Sequence, residues 1–372
     1  MEDAQHLATI KDVLYLTSCA LDGRVPETAR VAEMDLGALF RVASKHMLTA
    51  LVATALESAG VRDDAFVQAK GKAIRKAVLF NLERAAILEK LEAAGIWYMP
   101  LKGAILQDYY PDLGLRQMSD NDILVDPSRM DDIKAIMAGL GYAQMTESLV
   151  DASFHKEPVL NFEMHTTLFN EYVWETLSAY YRDVKPRLLK DADNGFGYHF
   201  SDEDFYLYQT THEFKHYRGS GTGLRSLVDQ YVFLRRKADS LDWDSVNAEL
   251  AKLGIAEFES CLRRLATHAL TGKPLAEDEA RMLEAVTAGG VYGSVENRVS
   301  NLVGRYGTGF RGKVRYAWSR LFLPMYEVRA WYPTFAKHPI LLPLLPFYRL
   351  GRSLRHRRSK LAAEVKALWK VN

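Results

Sequence analysis

Apolar residues recur at helical spacing over Asp35–Ala59, a pattern that ends at Gly60, and again over Gln68–Ala94, which stops at Gly95. Residues 1–94 are therefore predicted to be helical. The pattern then changes. Gly95–Leu101 is a short apolar run that reads as a strand, and Lys102-Gly103 turns it into a helix-like segment, Ala104–Tyr110. Ile123-Leu124-Val125 reads as a second, buried strand. Pro127-Ser128-Arg129-Met130 opens a helix that runs to Gly139 or Gly141, Tyr142–Thr146 reads as a strand, and Phe154–Glu157 with Val159–Leu168 as a hairpin broken near Pro158. The order β-α-β-α-β-β predicts a small mixed sheet with helices on one side. Helical periodicity returns over 171–285, in Glu203–His216, Leu224–Ala238, Trp243–Leu253 and Ala256–Leu270, the first two separated by the turn-rich Arg218–Gly223. Val286–Gly309, with Gly289-Gly290 and Gly304, reads as a loose connection. Pro324, Pro333, Pro339, Pro343 and Pro346 divide residues 310–372 into short, bent helices. The fold class is α+β in four parts: a helical region 1–94, a mixed-sheet core 95–170, a helical domain 171–304, and a basic, Pro-interrupted helical segment 305–372.

Composition adds little to that picture, and charge adds more. The chain has 372 residues, 48% of them hydrophobic and 26% charged, which is ordinary for a soluble globular protein. Cys19 and Cys261 form neither a metal-ligand spacing nor a disulfide framework, so a reducing cytoplasm is the expected location. The acidic start Met-Glu-Asp-Ala-Gln-His lacks the shape of a secretory signal, and no uninterrupted apolar run of about 18 residues predicts a spanning helix. The net charge of +1 conceals an asymmetry. Residues 305–372 hold 15 Lys and Arg against Glu327 and Glu364, a balance of +13, which leaves −12 on residues 1–304. Such a tail could meet nucleic acid, an anionic membrane or the chain's own acidic body, and Arg349–Arg358 is the candidate contact for an anionic partner.

The candidate chemistry lies at the entrance to the second strand. Asp120 and Asp122 are two apart, so period-two geometry points them the same way, and two acids on one face suit a hard cation such as Mg²⁺. Gly103 stands at a strand-to-helix turn, where a phosphate can approach backbone N–H groups and the helix N-terminus favours its charge. A third acid, Glu163, lies on a later strand. Phosphoryl or nucleotidyl transfer assisted by a metal is the chemistry this combination suggests.

In these residues the chain resembles the nucleotidyltransferase superfamily with the DNA polymerase β-like fold, and within it a bacterial family described as uncharacterised nucleotidyltransferases. The resemblance spans roughly residues 35–270. It rests on Lys102-Gly103, Tyr110-Pro111, Arg116, Asp120-x-Asp122 and Val125, on Glu163-Met164-His165, and on His212-x-x-Lys215-His216, Gly221-x-Gly223-x-Arg225 and Asp229. The broader superfamily has Gly-Ser where this family has Lys-Gly-Ala, and Asn121 is polar where an apolar residue is usual. The resemblance implies a nucleotidyltransferase core at 95–170 and Mg²⁺-dependent (or Mn²⁺-dependent) transfer of a nucleoside monophosphate from an NTP, ATP being the expected one, with release of pyrophosphate. The acceptor, whether small molecule, peptide or RNA, is left open. It further implies that Asp120, Asp122 and Glu163 hold metal and carry catalysis, and that Lys102, Gly103, Arg116, Ser119, Lys215 and His216 meet the nucleotide.

Three alternatives stay open. His212-Glu213-x-x-His216 fits a helical zinc-hydrolase motif, although no third ligand follows it. A binding protein would keep the fold without turnover, and a kinase would release a nucleoside diphosphate. His46 reads as a packing or capping residue.

Overall fold

A computed structural model describes residues 2–291, 295–307, 309–356 and 358–370. The chain divides into two compact units, one comprising 1–214 and 224–284, the other 215–223 and 285–372.

The first unit opens with helices α1 (Glu2–Asp22), α2 (Thr28–Ala32), α3 (Leu36–Lys45), α4 (Thr49–Ser58) and the 30-residue α5 (Asp64–Ala93). The apolar pattern over 35–59 predicts one helix, but the structure has two. Met47 adopts φ +55 between them, a left-handed turn that the apolar spacing does not reveal. Beside it His46 is fully buried. Burial pushes its imidazole down to about 3, and its Nδ1 accepts the N–H of Leu224 at 3.2 Å. The neutral ring thus packs, as its sequence context suggests.

The sheet follows: β1 (Tyr98–Pro100), the short helix α6 (Gly103–Leu106), β2 (Asn121–Val125), α7 (Met130–Gly139), β3 (Ala143–Glu147), β4 (Asp151–Lys156) and β5 (Leu160–His165). Its spatial order is β1-β2-β5-β4-β3. All neighbours are antiparallel except β2 and β5, which run parallel with Asp122 opposite Glu163 and Leu124 opposite His165.

Alternation along the strands gives the sheet two faces. Tyr98, Ile123, Val125, Phe162 and Met164 pack with Phe80, Ile87 and Leu91 of α5 and with Ile133 and Met137 of α7. Met99 and Leu124 point the other way and join Phe169, Leu177, Tyr181, Tyr206 and Tyr208. The expectation of helices on one side is therefore corrected, because α8 (Glu175–Tyr181) and α9 (Asp202–Arg218) cover the second face. Asn121 lies between the two acids on the α5 face. It is buried there, and its Oδ1 accepts from Arg84 Nη1 of α5 at 2.8 Å, which accounts for a polar residue inside an apolar strand. The short strands β6 (Leu189–Lys190) and β7 (Tyr198–His199) pair separately, and α10 (Leu224–Lys237), α11 (Trp243–Leu253) and α12 (Ala256–Thr271) complete the helical layer.

The second unit is helical. It takes the end of α13 (Glu277–Gly289), then α14 (Val295–Tyr306), α15 (Gly309–Leu321), α16 (Met325–Trp331), α17 (Pro333–Lys337), α18 (Leu345–His356) and α19 (Arg358–Lys370). Much of the 286–309 stretch, read as loose, is thus helical. Val299 and Val303 of α14 are held in a small core with Tyr316 and Ala367.

Candidate active site

The parallel pairing of β2 and β5 builds the site. Asp122 and Glu163 are register partners, and His165 follows Glu163 by two, so all three project from the α9 face of the sheet. One ligand atom from each lies within 4.8 Å of the others. His165 Nε2 is 3.6 Å from Asp122 Oδ1 and 3.7 Å from Glu163 Oε2. Both ring nitrogens of His165 are enclosed and find no hydrogen-bond partner among the described residues.

Glu163 bears the electrostatic consequence. Burial, then the charges of Asp122 and Asp120, push its carboxyl from 4.5 up to about 7, while His165 opposes the rise. Two carboxylates and an imidazole with unengaged nitrogens fit a divalent cation. The imidazole moves the preference of the set away from Mg²⁺ and towards transition-metal ions.

Lys102 completes the cluster. It lies two residues beyond β1, at the N-cap of α6, with φ +29 and ψ −86, a conformation that L-residues rarely adopt. The turn is held by its own carbonyl, which accepts from the N–H groups of Ile105 and Leu106, and by the Leu101 N–H donating to the Asp122 carbonyl. The ammonium thereby stands 3.5 Å from Asp122 Oδ2 and 2.7 Å from His212 Nε2. His212 comes from α9 and packs one turn from Tyr208, which is also buried.

The other sequence candidates fall in different places. Asp120 immediately precedes β2, outside the close triplet. Its Oδ1 accepts from Ser119 Oγ at 3.0 Å, and the Ser119 carbonyl accepts from Lys76 Nζ at 3.2 Å. Arg116 lies inside the protein. It is 6% exposed, and its Nε and Nη2 each donate to an oxygen of Asp229 at 2.8 Å, with Tyr110 Oη donating to the same carboxylate at 2.7 Å. The guanidinium thus anchors the 110–120 loop to α10 and is turned away from solvent. Gly103 serves that anchor too, since a Cβ there would lie 2.8 Å from Arg116 Nη1. Arg225 reinforces the loop by donating to the Gln117 carbonyl at 2.7 Å. Lys215 and His216 lie in the last turn of α9 and belong to the second unit.

Two residues of the cluster escape a search for paired acids. His165 was visible in Glu163-Met164-His165, because period two sets it beside Glu163. His212 was visible only as part of a zinc motif. Among the described residues the ligand set that converges is Asp122, Glu163 and His165, without His212.

A small mixed sheet, flanked by helices and carrying one carboxylate on each of two parallel neighbours, is a nucleotidyltransferase-type core. The chain belongs to the family described as uncharacterised nucleotidyltransferase, which matches residues 32–271. No curated protein matches it. A solved structure, an antigenic nucleotidyltransferase-like protein from Paracoccidioides brasiliensis, is 14% identical, with 51% of this chain and 92% of that one covered and a TM-score of 0.29. That likeness is too slight to locate site residues. Family and fold together support nucleotidyl transfer in the general sense.

Proposed function

We propose that the protein transfers a nucleoside monophosphate from an NTP, ATP by expectation, to an acceptor hydroxyl or amine with release of pyrophosphate. The observation that carries this reading is the convergence of Asp122, Glu163 and His165 beside Lys102. A divalent cation, Mg²⁺ or Mn²⁺, when bound by these three residues would supply charge to the triphosphate oxygens. Asp120, two residues before Asp122 at the entrance to the strand, is a further carboxylate for the same purpose.

The chain's own groups divide the remaining work. Glu163, the register partner of Asp122, is the carboxylate proposed to take the acceptor's proton when it is not holding the cation. As the acceptor's lone pair forms a bond to the α-phosphorus, the bond from that phosphorus to the α–β bridging oxygen breaks and pyrophosphate carries the electrons away. Lys102 is the cation placed to meet the departing charge. Arg116 takes no part in this set, because Asp229 occupies it. Gly103 and Ser119, at the helix start and the strand entrance, are proposed nucleotide contacts.

A second reading has one observation in its favour. Lys102 already sets a positive charge 3.5 Å from Asp122, as a nucleotide-binding protein without turnover could use it. One experiment separates these readings. The protein is freed of metal with a chelator, supplied with Mg²⁺ or Mn²⁺, each labelled NTP and cell extract, and its products are read by mass spectrometry. Pyrophosphate and a labelled acceptor are expected, with no need for zinc. Release of a nucleoside diphosphate would make it a kinase, and NTP binding without product a binding protein.

A further inference from the structure

In the second unit, α15 turns Gly312 and Tyr316 inward and leaves Phe310, Val314 and Trp318 outside, 80%, 48% and 63% exposed. These three recur every fourth residue and form one stripe. Phe322 extends it by stacking on Trp318 with ring centroids 4.2 Å apart. Arg311 and Arg315 flank the stripe. Arg349 of α18 donates to the carbonyls of Arg320 and Leu321, which fixes α18 at the last turn of α15. Helix α18 has its own exposed row, Phe347, Leu350 and Leu354, and Ile340 before it is 87% exposed.

Rows of large exposed apolar groups mark interaction surfaces. Charge identifies the partner. Residues 305–372 carry 15 Lys and Arg and two acids, and one of those acids, Glu364, is already engaged by Arg298 and Arg320. We propose that this unit docks on an anionic lipid surface. The apolar stripe enters the boundary between headgroups and acyl chains, and the flanking arginines meet lipid phosphates. The aliphatic members Val314, Leu350, Leu354 and Ile340 favour lipid over RNA, because single-stranded nucleic acid is held by aromatic stacking, to which they contribute nothing. No described helix is long and apolar enough to cross a membrane, so the association is peripheral. Arg357 in the basic run lies outside the described residues. The proposal is independent of the nucleotidyl-transfer reading.

The test uses the full chain with vesicles of phosphatidylcholine alone or mixed with phosphatidylglycerol. Flotation is expected only with the anionic vesicles, weakened by added salt, together with a blue shift of tryptophan emission. Phe310→Ser with Trp318→Ser, and separately Arg311→Glu with Arg352→Glu, should each lower partitioning about tenfold or more, with helical circular dichroism retained. The charge-reversed variant leaves every apolar side chain in place and keeps the test decisive if the first variant misfolds. Several outcomes overturn the proposal: no flotation, equal flotation on neutral vesicles, binding of a single-stranded RNA oligonucleotide in place of vesicles, or a dimer that the Phe310/Trp318 variant dissociates.

Discussion

Replacing Glu163 by Gln removes a charge from the most strained position in the site while keeping its shape. In the metal-free protein the Glu163 carboxyl is held near 7, against 4.5 ordinarily, by burial and by Asp122 and Asp120. The folded state therefore binds more protons than the unfolded chain between about pH 4.5 and 7, and stability falls as pH rises through that window. Above it the ionised group costs about 2.5 × 1.36, or about 3 kcal/mol. The Glu163 side chain is 32% exposed, and solvent screening brings this to about 2 kcal/mol. Glu163→Gln should thus match the wild type below about pH 4.5 and exceed it by about 2 kcal/mol at pH 8, a rise in Tm of about 4 °C. The assay is thermal unfolding across pH in EDTA. Repeating it in Mn²⁺ should shrink or reverse the difference, since the wild type gains a bound ligand. Parallel pH–stability curves for the two proteins in EDTA, or a less stable variant at pH 8, would refute the crowded-carboxylate reasoning.

Asp122→Asn should lower NTP-dependent turnover by orders of magnitude with Tm unchanged or raised, as read by pyrophosphate release and unfolding. Asp229→Ala strands a buried guanidinium and should cost about 3–5 kcal/mol in denaturant unfolding. A Tyr110→Phe, Arg116→Met, Asp229→Leu triple variant should recover most of that and keep its turnover; a loss of NTP affinity would show that Arg116 does reach the nucleotide. Gly103→Ala sets a methyl 2.8 Å from Arg116 and should destabilise by about 1–3 kcal/mol. His165→Asn should weaken Mn²⁺ binding more than Mg²⁺ binding in calorimetry, because it removes the imidazole donor.

Local pattern made the sheet legible because its strands are short, apolar and bounded by turns. It also made the shared face of Asp120 and Asp122 legible, since two residues suffice to set strand parity. Pairing over distance was not legible. Nothing near Arg116 announces Asp229, 113 residues away, and an arginine beside an acid pair reads as a phosphate ligand when its real partner is a carboxylate on α10. His212 likewise reads as half of a zinc motif until the turn at Lys102 brings an ammonium against it. The break at Met47 lies inside an unbroken apolar repeat, and the glycines of 286–309 obscure a helix whose valines at 295, 299 and 303 keep helical spacing. The motif residues shared with the family thus divide into a group at the cluster and a group that holds the 110–120 loop.

The strand order β1-β2-β5-β4-β3 has a consequence for how the protein comes into being. The last of the five strands to leave the ribosome takes the middle of the sheet. Until residue 165 has emerged, β2 has a vacant edge, Asp122 has no carboxylate opposite it, and the β3–β4 hairpin has nothing to join. A nascent chain stopped short of β5 is thus spared the repulsion of the finished cluster and equally lacks the means to hold an ion. On the proposed reading, divalent-cation affinity is expected to arise in one step, when the central strand inserts, and would serve as a clock for completion of the core.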